Sequence, residues 1–232
     1  MISKNHSDLI DKVKNHKLNS DKDMNNKKII FEHIAKLDSP IILEFGVNTG
    51  ASSSIFAYLA EQKKGKVFSI DIENCNDVVV SKNWFFLQTN DLDTRKILDN
   101  FKELQNGIDL IYIDSYHDAD HVEKLTYTWY PFLKKGGTIF FDDTENFIYR
   151  IKKKIPHTIN VGEINNRVDQ IYYSNEKKIY YSKYYGASGL SKYYKLSGFM
   201  ENLSPIVKIW NVNFFVKFFY LKIRKIYNKL TK

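Results

Sequence analysis

Acidic side chains end two strongly apolar stretches of this 232-residue chain. The first stretch, Ile108 to Asp114, reads IDLIYID and runs on into SYH, and the second, Thr138 to Asp143, reads TIFFDD. If the two stretches are neighbouring parallel strands, their carboxyl ends meet at one crevice, where open α/β sheets bind their ligands. The groups placed there are Asp114, His117, Asp142 and Asp143. Carboxylates and an imidazole at such an edge predict a functional site, with His121, four residues beyond His117, as the expected bystander.

A glycine turn lies upstream of this region. Glu44 to Gly50 (EFGVNTG) spells E-x-G-x-x-x-G, and Ala51 and Ser52 open the next predicted helix. Glycine lets the backbone approach a ligand closely, and the free N–H groups of a helix start favour a carboxylate or phosphate. The turn is not a P-loop, and it lacks the dinucleotide fingerprint because Asn48 stands at the second glycine. An ordinary strand-to-helix connection is the alternative interpretation.

Two further predicted strand ends are polar. Val67 to Asp71 ends in an acid about twenty residues after the turn, the arrangement by which α/β nucleoside sites hold ribose hydroxyls. Asn90 and Asp91 close the next strand, where an adenine amine could be recognised. Each acid alone could instead cap the following helix. That alternative is weaker for a series of four polar strand ends.

Hydrophobic periodicity predicts alternating strands and helices. The predicted strands are 41–45, 67–72, 84–88, 108–114 and 138–141, and the predicted helices are 29–37, 51–60, 92–104 and 119–133, the last stopped by Gly136 and Gly137. Repeated βα units predict a Rossmann-like, doubly wound α/β fold with a mostly parallel sheet. Segments 169–174 and 178–183, joined by 175–177, are predicted to add an antiparallel edge hairpin, and 184–197 a loop.

Net charge and cysteine content limit the possible settings. The chain carries +8 at pH 7, but seven Lys and Arg residues after Glu201 account for +7, so the body is nearly neutral. A nucleic-acid-binding domain more often spreads basic residues over its folded surface, so nucleic acid is not an expected partner. The single cysteine, Cys75, cannot form an internal disulfide, and the N-terminus has no apolar signal segment. We therefore expect a cytoplasmic location.

The C-terminal segment is basic and aromatic. Sixteen of the residues from Ile206 to Leu230 are apolar or aromatic, and lysines keep the uncharged runs below the roughly 20 residues that span a bilayer. A basic aromatic helix of this kind can lie on an anionic membrane surface. Docking on the domain itself, or on a second copy of the chain in a homo-oligomer, is the alternative.

At its strand ends the sequence resembles the class I S-adenosylmethionine-dependent methyltransferases. The segments EFGVNTGASS, FSIDIE, IDLIYIDSYHDADHV and FLKKGGTIFFDDT are similar to the metal-dependent small-molecule O-methyltransferases of the macrocin type and, more remotely, to catechol O-methyltransferase. The resemblance covers Ile41 to Thr144 and neither terminus. We therefore divide the chain into an N-terminal arm or lid (1–28), a methyltransferase domain (29–200) and a basic amphipathic tail (201–232).

The resemblance implies a role for each polar strand end. The residues that match the cofactor loop are Glu44, Gly46, Gly50 and Ser52, those that match the nucleoside contacts are Asp71, Asn90 and Asp91, and those that match the magnesium ligands are Asp114, Asp142 and Asp143. His117 falls where the family places a base. Tyr116 departs from the family pattern, because the macrocin type often has a small or acidic residue just before the histidine. This difference concerns the acceptor pocket more than the chemistry.

The implied function is methyl transfer from S-adenosylmethionine to a hydroxyl of a small polar acceptor, with Mg²⁺ or another divalent cation and a histidine base. A sugar of a surface glycan or its precursor is the expected acceptor, because macrocin-type relatives methylate sugar hydroxyls and a tail at the inner face of the membrane would suit envelope assembly. The alternatives are a non-catalytic cofactor-binding or membrane-associated scaffold, and a nucleic-acid methyltransferase.

Overall fold

The structure, a computed structural model, describes residues 4–18, 22–144, 160–185, 188–207 and eight positions between 216 and 227. Helices and strands alternate through most of this part of the chain. The helices are α1 (Lys4–Asn15), α2 (Lys22–Ile34), α3 (Ala51–Lys63), α4 (Thr94–Asn100), α5 (Ala119–Trp129) and α6 (Asn160–Tyr173). The strands are β1 (Ile41–Phe45), β2 (Lys66–Asp71), β3 (Trp84–Gln88), β4 (Ile108–Ile113), β5 (Leu133–Asp142), β6 (Ile179–Tyr184) and β7 (Leu190–Lys195).

In the described residues the strands form one seven-stranded sheet with the order β3-β2-β1-β4-β5-β7-β6. Strands β1 to β5 pair in parallel, while β7 pairs antiparallel with both β5 and β6. The carboxyl ends of the parallel strands therefore meet at one edge, which carries the polar residues singled out in the sequence. This arrangement confirms the predicted α/β fold class, and most of the predicted C-terminal helix lies outside the described residues.

Alternating side chains of the sheet build a core on each face. On one face, Leu43 and Phe45 pack with buried residues of α4, α5 and α6. On the other, Ile42 packs with α3 and with Ile10 and Val13 of α1, which are 3% and 0% exposed. Because both faces are covered, the central strands are mostly apolar and do not alternate regularly with polar residues. The predicted short N-terminal helix thus contributes to the core.

The predicted strand at 169–174 is wrong, because these residues mostly belong to helix α6. Ile164, Val168 and Ile171 are buried at spacings of four and three, which is the stripe of a helix packed on the sheet. Tyrosine at its end favoured the strand interpretation. The edge hairpin itself exists, but it pairs β6 with β7, so the loop predicted at 184–197 is also wrong.

The predicted helix end at Gly136 and Gly137 is wrong as well. Helix α5 ends at Trp129, and both glycines lie within β5. The β4–β5 register jumps from Ile108 paired with Leu133 to Leu110 paired with Thr138, so β5 carries extra residues in a bulge. Gly136 supplies the positive φ of 84° that this irregular backbone needs. The helix predicted at 92–104 is likewise split, into α4 and a 3₁₀ turn at Lys102–Asn106.

A buried lysine joins the hairpin to the end of α5. Lys195 is 1% exposed, and its ammonium donates hydrogen bonds to the carbonyl oxygens of Tyr130, Pro131 and Leu133. We expect Lys195→Met to lower the free energy of unfolding by about 2–4 kcal/mol, because three buried acceptors lose their donor. Urea unfolding followed by circular dichroism measures this, with exposed Lys177→Met as the control; equal stability of the two variants would contradict the assignment.

Candidate active site

The glycine turn after β1 is shaped by contacts within the chain. Gly46 has φ of 91°, and a Cβ placed there would lie 2.2 Å from the carbonyl oxygen of Asp114. Gly50, at the start of α3, has φ of 78°, and its Cβ would lie 2.8 Å from a methyl of Val78. The space at both glycines is filled by neighbouring segments. Because neither glycine has a side chain, the turn packs against the loop after β4 at Gly46 and against Val78, in the segment after β2, at Gly50. The sequence motif alone does not reveal this reason.

Glu44 fixes the turn from behind. Its carboxylate is 0% exposed and accepts hydrogen bonds from the hydroxyls of Ser52 at 2.6 Å, Ser53 at 2.7 Å and Ser69 at 2.6 Å. Burial raises the pKa of Glu44 to about 7, although the three serine hydrogen bonds act in the opposite direction. Glu44 and Ser52 thus hold the first turn of α3 against β2, and their predicted contact with a cofactor stays a prediction.

Asp71 braces the same turn from the next strand. One carboxylate oxygen accepts from the backbone N–H groups of Val47 at 2.7 Å and Asn48 at 3.1 Å, and the other accepts from that of Glu73 at 3.0 Å. Burial acts to raise the pKa of Asp71, but these backbone hydrogen bonds outweigh it and lower the pKa. Asp71 therefore lies beside the turn as an anion, and its predicted contact with ribose hydroxyls stays a prediction.

Asp91 connects distant parts of the edge. Its carboxylate accepts from the hydroxyl of Ser115 at 2.7 Å and lies 2.8 Å from Nε2 of His121, whereas Asn90 is exposed and caps its own turn at Leu92. Strands β3 and β4 are separated by two others in the sheet, so this contact crosses the edge. It anchors the loop that carries Asp114. His121 is not a bystander, and a partner thirty positions away gives no local signal in the sequence.

Removing one donor to Asp91 should weaken this anchor. We expect Ser115→Ala to lower the free energy of unfolding by about 1–2 kcal/mol, because a buried carboxylate loses a hydrogen bond. Ser81→Ala is the matched control: Ser81 donates to Glu61 at the same 2.7 Å, but that pair is exposed. Thermal unfolding of both variants measures the difference, and the prediction fails if Ser81→Ala is the more destabilising.

The three predicted metal ligands and His117 lie together. Tyr112 donates its hydroxyl to Asp142 at 2.8 Å, and the same hydroxyl lies 3.3 Å from Asp114. His117 lies 3.3 Å from Asp114 and 3.9 Å from Asp143. Burial, and then the charges of Asp114 and Asp143, raise the pKa of Asp142 to about 7. The hydrogen bond with Asp114 raises the pKa of His117. The sheet therefore brings this predicted cluster to one place.

The donors of this cluster suit a hard cation, although they are not arranged as a finished metal centre. Carboxylate oxygens are the ligands that Mg²⁺ prefers, and three carboxylates crowded at a half-buried edge repel one another. Within the described ranges, however, no three Asp, Glu, His or Cys side chains have a geometry ready to hold a metal ion. The Tyr112 hydroxyl lies between two of the carboxylates. Coordination would require these side chains to turn toward a common point.

An open cleft connects the glycine turn to the carboxylates of Asp114 and Asp142. Its lining joins apolar, hydroxyl and charged side chains from four parts of the fold: Lys27, Ile30, Val47, Asn48, Thr49, Ala51, Ser52, Ile55, Phe56, Tyr112, Asp114 and Asp142. Lys27 and Ile30 come from α2, and Asn26 of the same helix donates to Asp142 at 3.3 Å. The sequence did not predict that α2 lines the cleft, because α2 carries no motif and reaches this edge of the sheet only through tertiary packing.

The match to known families coincides with this edge. Residues 43–144 match the family model described as a methyltransferase domain. The part of the chain that carries the candidate site is therefore similar to a methyltransferase domain. The finding confirms the resemblance to S-adenosylmethionine-dependent methyltransferases on which the site assignment depends. No curated protein has significant sequence similarity to the chain.

Solved methyltransferase structures share the fold. MycE, a methyltransferase from the mycinamycin biosynthetic pathway in complex with Mg and S-adenosylhomocysteine (SAH), superposes with a TM-score of 0.55 and 16% identity over 88% of this chain and 57% of that one. A Staphylococcus aureus protein provisionally assigned as a caffeoyl-CoA O-methyltransferase superposes with a TM-score of 0.55 and 18% identity, over 83% of this chain and 100% of that one. The SAH-bound Podospora anserina methyltransferase PaMTH1 superposes with a TM-score of 0.55 and 13% identity, over 84% of this chain and 88% of that one. At these identities the likeness concerns the fold, and this chain spans little more than half of the MycE chain.

Proposed function

We propose that this methyltransferase transfers a methyl group from S-adenosylmethionine to a hydroxyl of a small polar acceptor, with a divalent cation as cofactor. The observation that carries the proposal is that residues of the glycine turn and the carboxylates of Asp114 and Asp142 line one cleft. A cofactor on the turn and an acceptor oxygen near the carboxylates would then be neighbours. Proximity of this kind is the main requirement of an in-line displacement.

The nucleoside end of the cofactor is assigned to the strand ends away from the carboxylates. Asp71 has an anionic carboxylate beside the turn, which suits ribose hydroxyls, and Asn90 and Asp91 close the neighbouring strand where the adenine amine would lie. The contact of Asp91 with Ser115 joins this end to the loop that carries His117. Binding of the nucleoside and placement of the base are thus mechanically connected.

His117 is assigned as the base. In the transfer, the acceptor hydroxyl loses its proton to the imidazole, its oxygen attacks the methyl carbon, and the carbon–sulfur bond breaks to leave the electron pair on sulfur. One ring nitrogen of His117 lies 3.3 Å from Asp114, so this hydrogen bond orients the ring before the acceptor binds.

Asp114, Asp142 and Asp143 are assigned as the residues that would hold the cation. When bound there, Mg²⁺ would lower the pKa of a coordinated hydroxyl and offset the mutual repulsion of the carboxylates. Tyr112 and Asn26 donate to Asp142 in the described arrangement, and they would keep that side chain oriented toward the cleft. The donor chemistry supports the cation, and the present geometry leaves it a proposal.

A sugar, in a surface glycan or its precursor, is the acceptor class that we propose. The hydroxyls of Thr49 and Tyr112 and the ammonium of Lys27 line the cleft beside apolar Ile30 and Phe56, a mixture suited to a polyhydroxylated ring. A cytoplasmic location is proposed with it, because nucleotide-linked sugars are made there and Cys75 is a free, buried thiol.

The proposal is tested by label transfer from methyl-labelled S-adenosylmethionine to a panel of nucleotide sugars, catechols and oligonucleotides in the presence of Mg²⁺. We expect label in the sugar fraction, lost on chelation of the cation, and at least about a hundredfold less with His117→Ala. SAH binding by that variant should remain, which separates loss of the base from loss of folding. Label in oligonucleotides, or cofactor binding without transfer to any hydroxyl compound, would overturn the proposal.

A further inference from the structure

Large apolar side chains near the C-terminus are exposed. Six described positions that lie in helical conformation have exposed fractions between 49% and 65%: Val216, Phe219, Tyr220, Ile223, Ile226 and Tyr227. Contiguous exposed apolar patches often mark contact sites.

The six positions form one stripe. At about 100° per residue, their spacings of three, four and seven place them within an arc of roughly 120° on a helix. The basic positions Lys217, Lys222, Arg224 and Lys225 fall outside that arc. Phe218 and Leu221 fall among the cations and widen the apolar flank. An apolar stripe opposite cations is the pattern of a helix that lies in the plane of a membrane interface.

Charge decides between a membrane and a second copy of the chain. Residues 202–232 contain seven Lys or Arg and no Asp or Glu, while the rest of the chain carries about +1. Pairing two such tails would bring like charges together. Anionic lipid headgroups complement the tail, with roughly 1 kcal/mol for each cation near the surface.

We propose that the described helical positions between 216 and 227 bind the surface of an anionic membrane, with the apolar stripe in the interface and the cations at the lipid headgroups. Within the described ranges no helix has both the length and the apolarity to cross a bilayer, in keeping with contact at the surface. The site of methyl transfer plays no part in this inference. It places the domain where a lipid-linked or surface-bound acceptor would be within reach.

Co-sedimentation of the full chain with lipid vesicles tests the proposal. We expect binding to phosphatidylcholine vesicles that contain about 30% phosphatidylserine, little binding to phosphatidylcholine alone, and release when ionic strength is raised from about 0.1 M to about 0.5 M. Phe219→Ser with Ile223→Ser should weaken partition by about tenfold or more, because two apolar anchors are lost. Tyr180→Ser with Met200→Ser, at exposed positions of the body, is the matched control and should bind as the native chain does.

Several results would overturn the proposal. Equal partition onto neutral and anionic vesicles would show that electrostatic attraction does not contribute to binding. Unchanged partition of the Phe219 and Ile223 double variant would show that the apolar stripe does not contact the membrane. A dimer detected by light scattering that the same double variant abolishes, in a chain that does not sediment with vesicles, would assign the stripe to self-association instead. Cofactor binding by the double variant, measured alongside, shows that the domain remains folded.

Discussion

Replacing Gly46 with alanine is expected to abolish detectable cofactor binding and to lower the free energy of unfolding by about 3 kcal/mol or more. The added Cβ would lie 2.2 Å from the carbonyl oxygen of Asp114 and 2.9 Å from the backbone nitrogen of Ser115, and φ is 91°. Both obstacles are backbone, so the turn and the loop after β4 must separate. That movement displaces the carboxylates from the cleft. Urea unfolding and calorimetric titration with SAH measure the two effects.

Gly198→Ala is the matched control. The Cβ at that position would meet only the Glu201 carboxylate at 3.8 Å, and its φ is not in the left-handed region. We expect a change in unfolding free energy of less than about 0.5 kcal/mol and unchanged SAH affinity. If Gly46→Ala behaved like this control, the packing of the turn against the β4 loop would not be what holds the two halves of the site together.

Asp142→Asn is expected to separate stability from function. Asp142 is buried beside Asp114 and Asp143, and removing its charge relieves their repulsion, so the metal-free variant should gain about 1–2 kcal/mol of unfolding free energy. The same substitution removes one oxygen anion from the proposed cation site. We expect the affinity for Mn²⁺, used as a probe, to fall at least about tenfold, and methyl transfer to fall by about a hundredfold.

Asp99→Asn, at the exposed Asp99–Arg95 ion pair of α4, provides the comparison. We expect this variant to change the free energy of unfolding by less than about 0.5 kcal/mol, because exposed ion pairs contribute little to stability. We expect its affinity for Mn²⁺ to be unchanged. Electron paramagnetic resonance of bound Mn²⁺ gives the affinities. An Asp142→Asn variant that is less stable, yet binds Mn²⁺ as tightly as the native protein, would show that the carboxylates serve the fold and not a cation.

The sequence predicted the parallel half of the fold because its signals are local. Strands β1 and β3 begin and end where the apolar runs predicted, since buried parallel strands are continuously apolar and end at polar turns. The antiparallel half was predicted less well. Helix α6 and strand β7 both contain several tyrosines, and tyrosine alone does not distinguish a packed helix from an edge strand.

At the site, the sequence predicted which residues meet but not how they are partnered. The meeting of Asp114, His117 and Asp142 follows from two strand ends that are neighbours in the sheet. The contact of Asp91 with His121, and that of Asn26 with Asp142, join segments 30 and 116 residues apart. No pattern within a short window indicates such pairs. The serine cage around buried Glu44 is similar, because its members come from two different elements.

Calorimetric titration of SAH into the full chain, with and without Mg²⁺, tests the central claim that the cleft at the glycine turn is a cofactor site. We expect one SAH to bind per chain with a dissociation constant on the order of micromolar, and we expect Asp71→Ala to weaken this binding at least about tenfold, because it removes the hydrogen bonds that hold the turn. No binding at millimolar SAH, or binding that Asp71→Ala leaves unchanged, would contradict it.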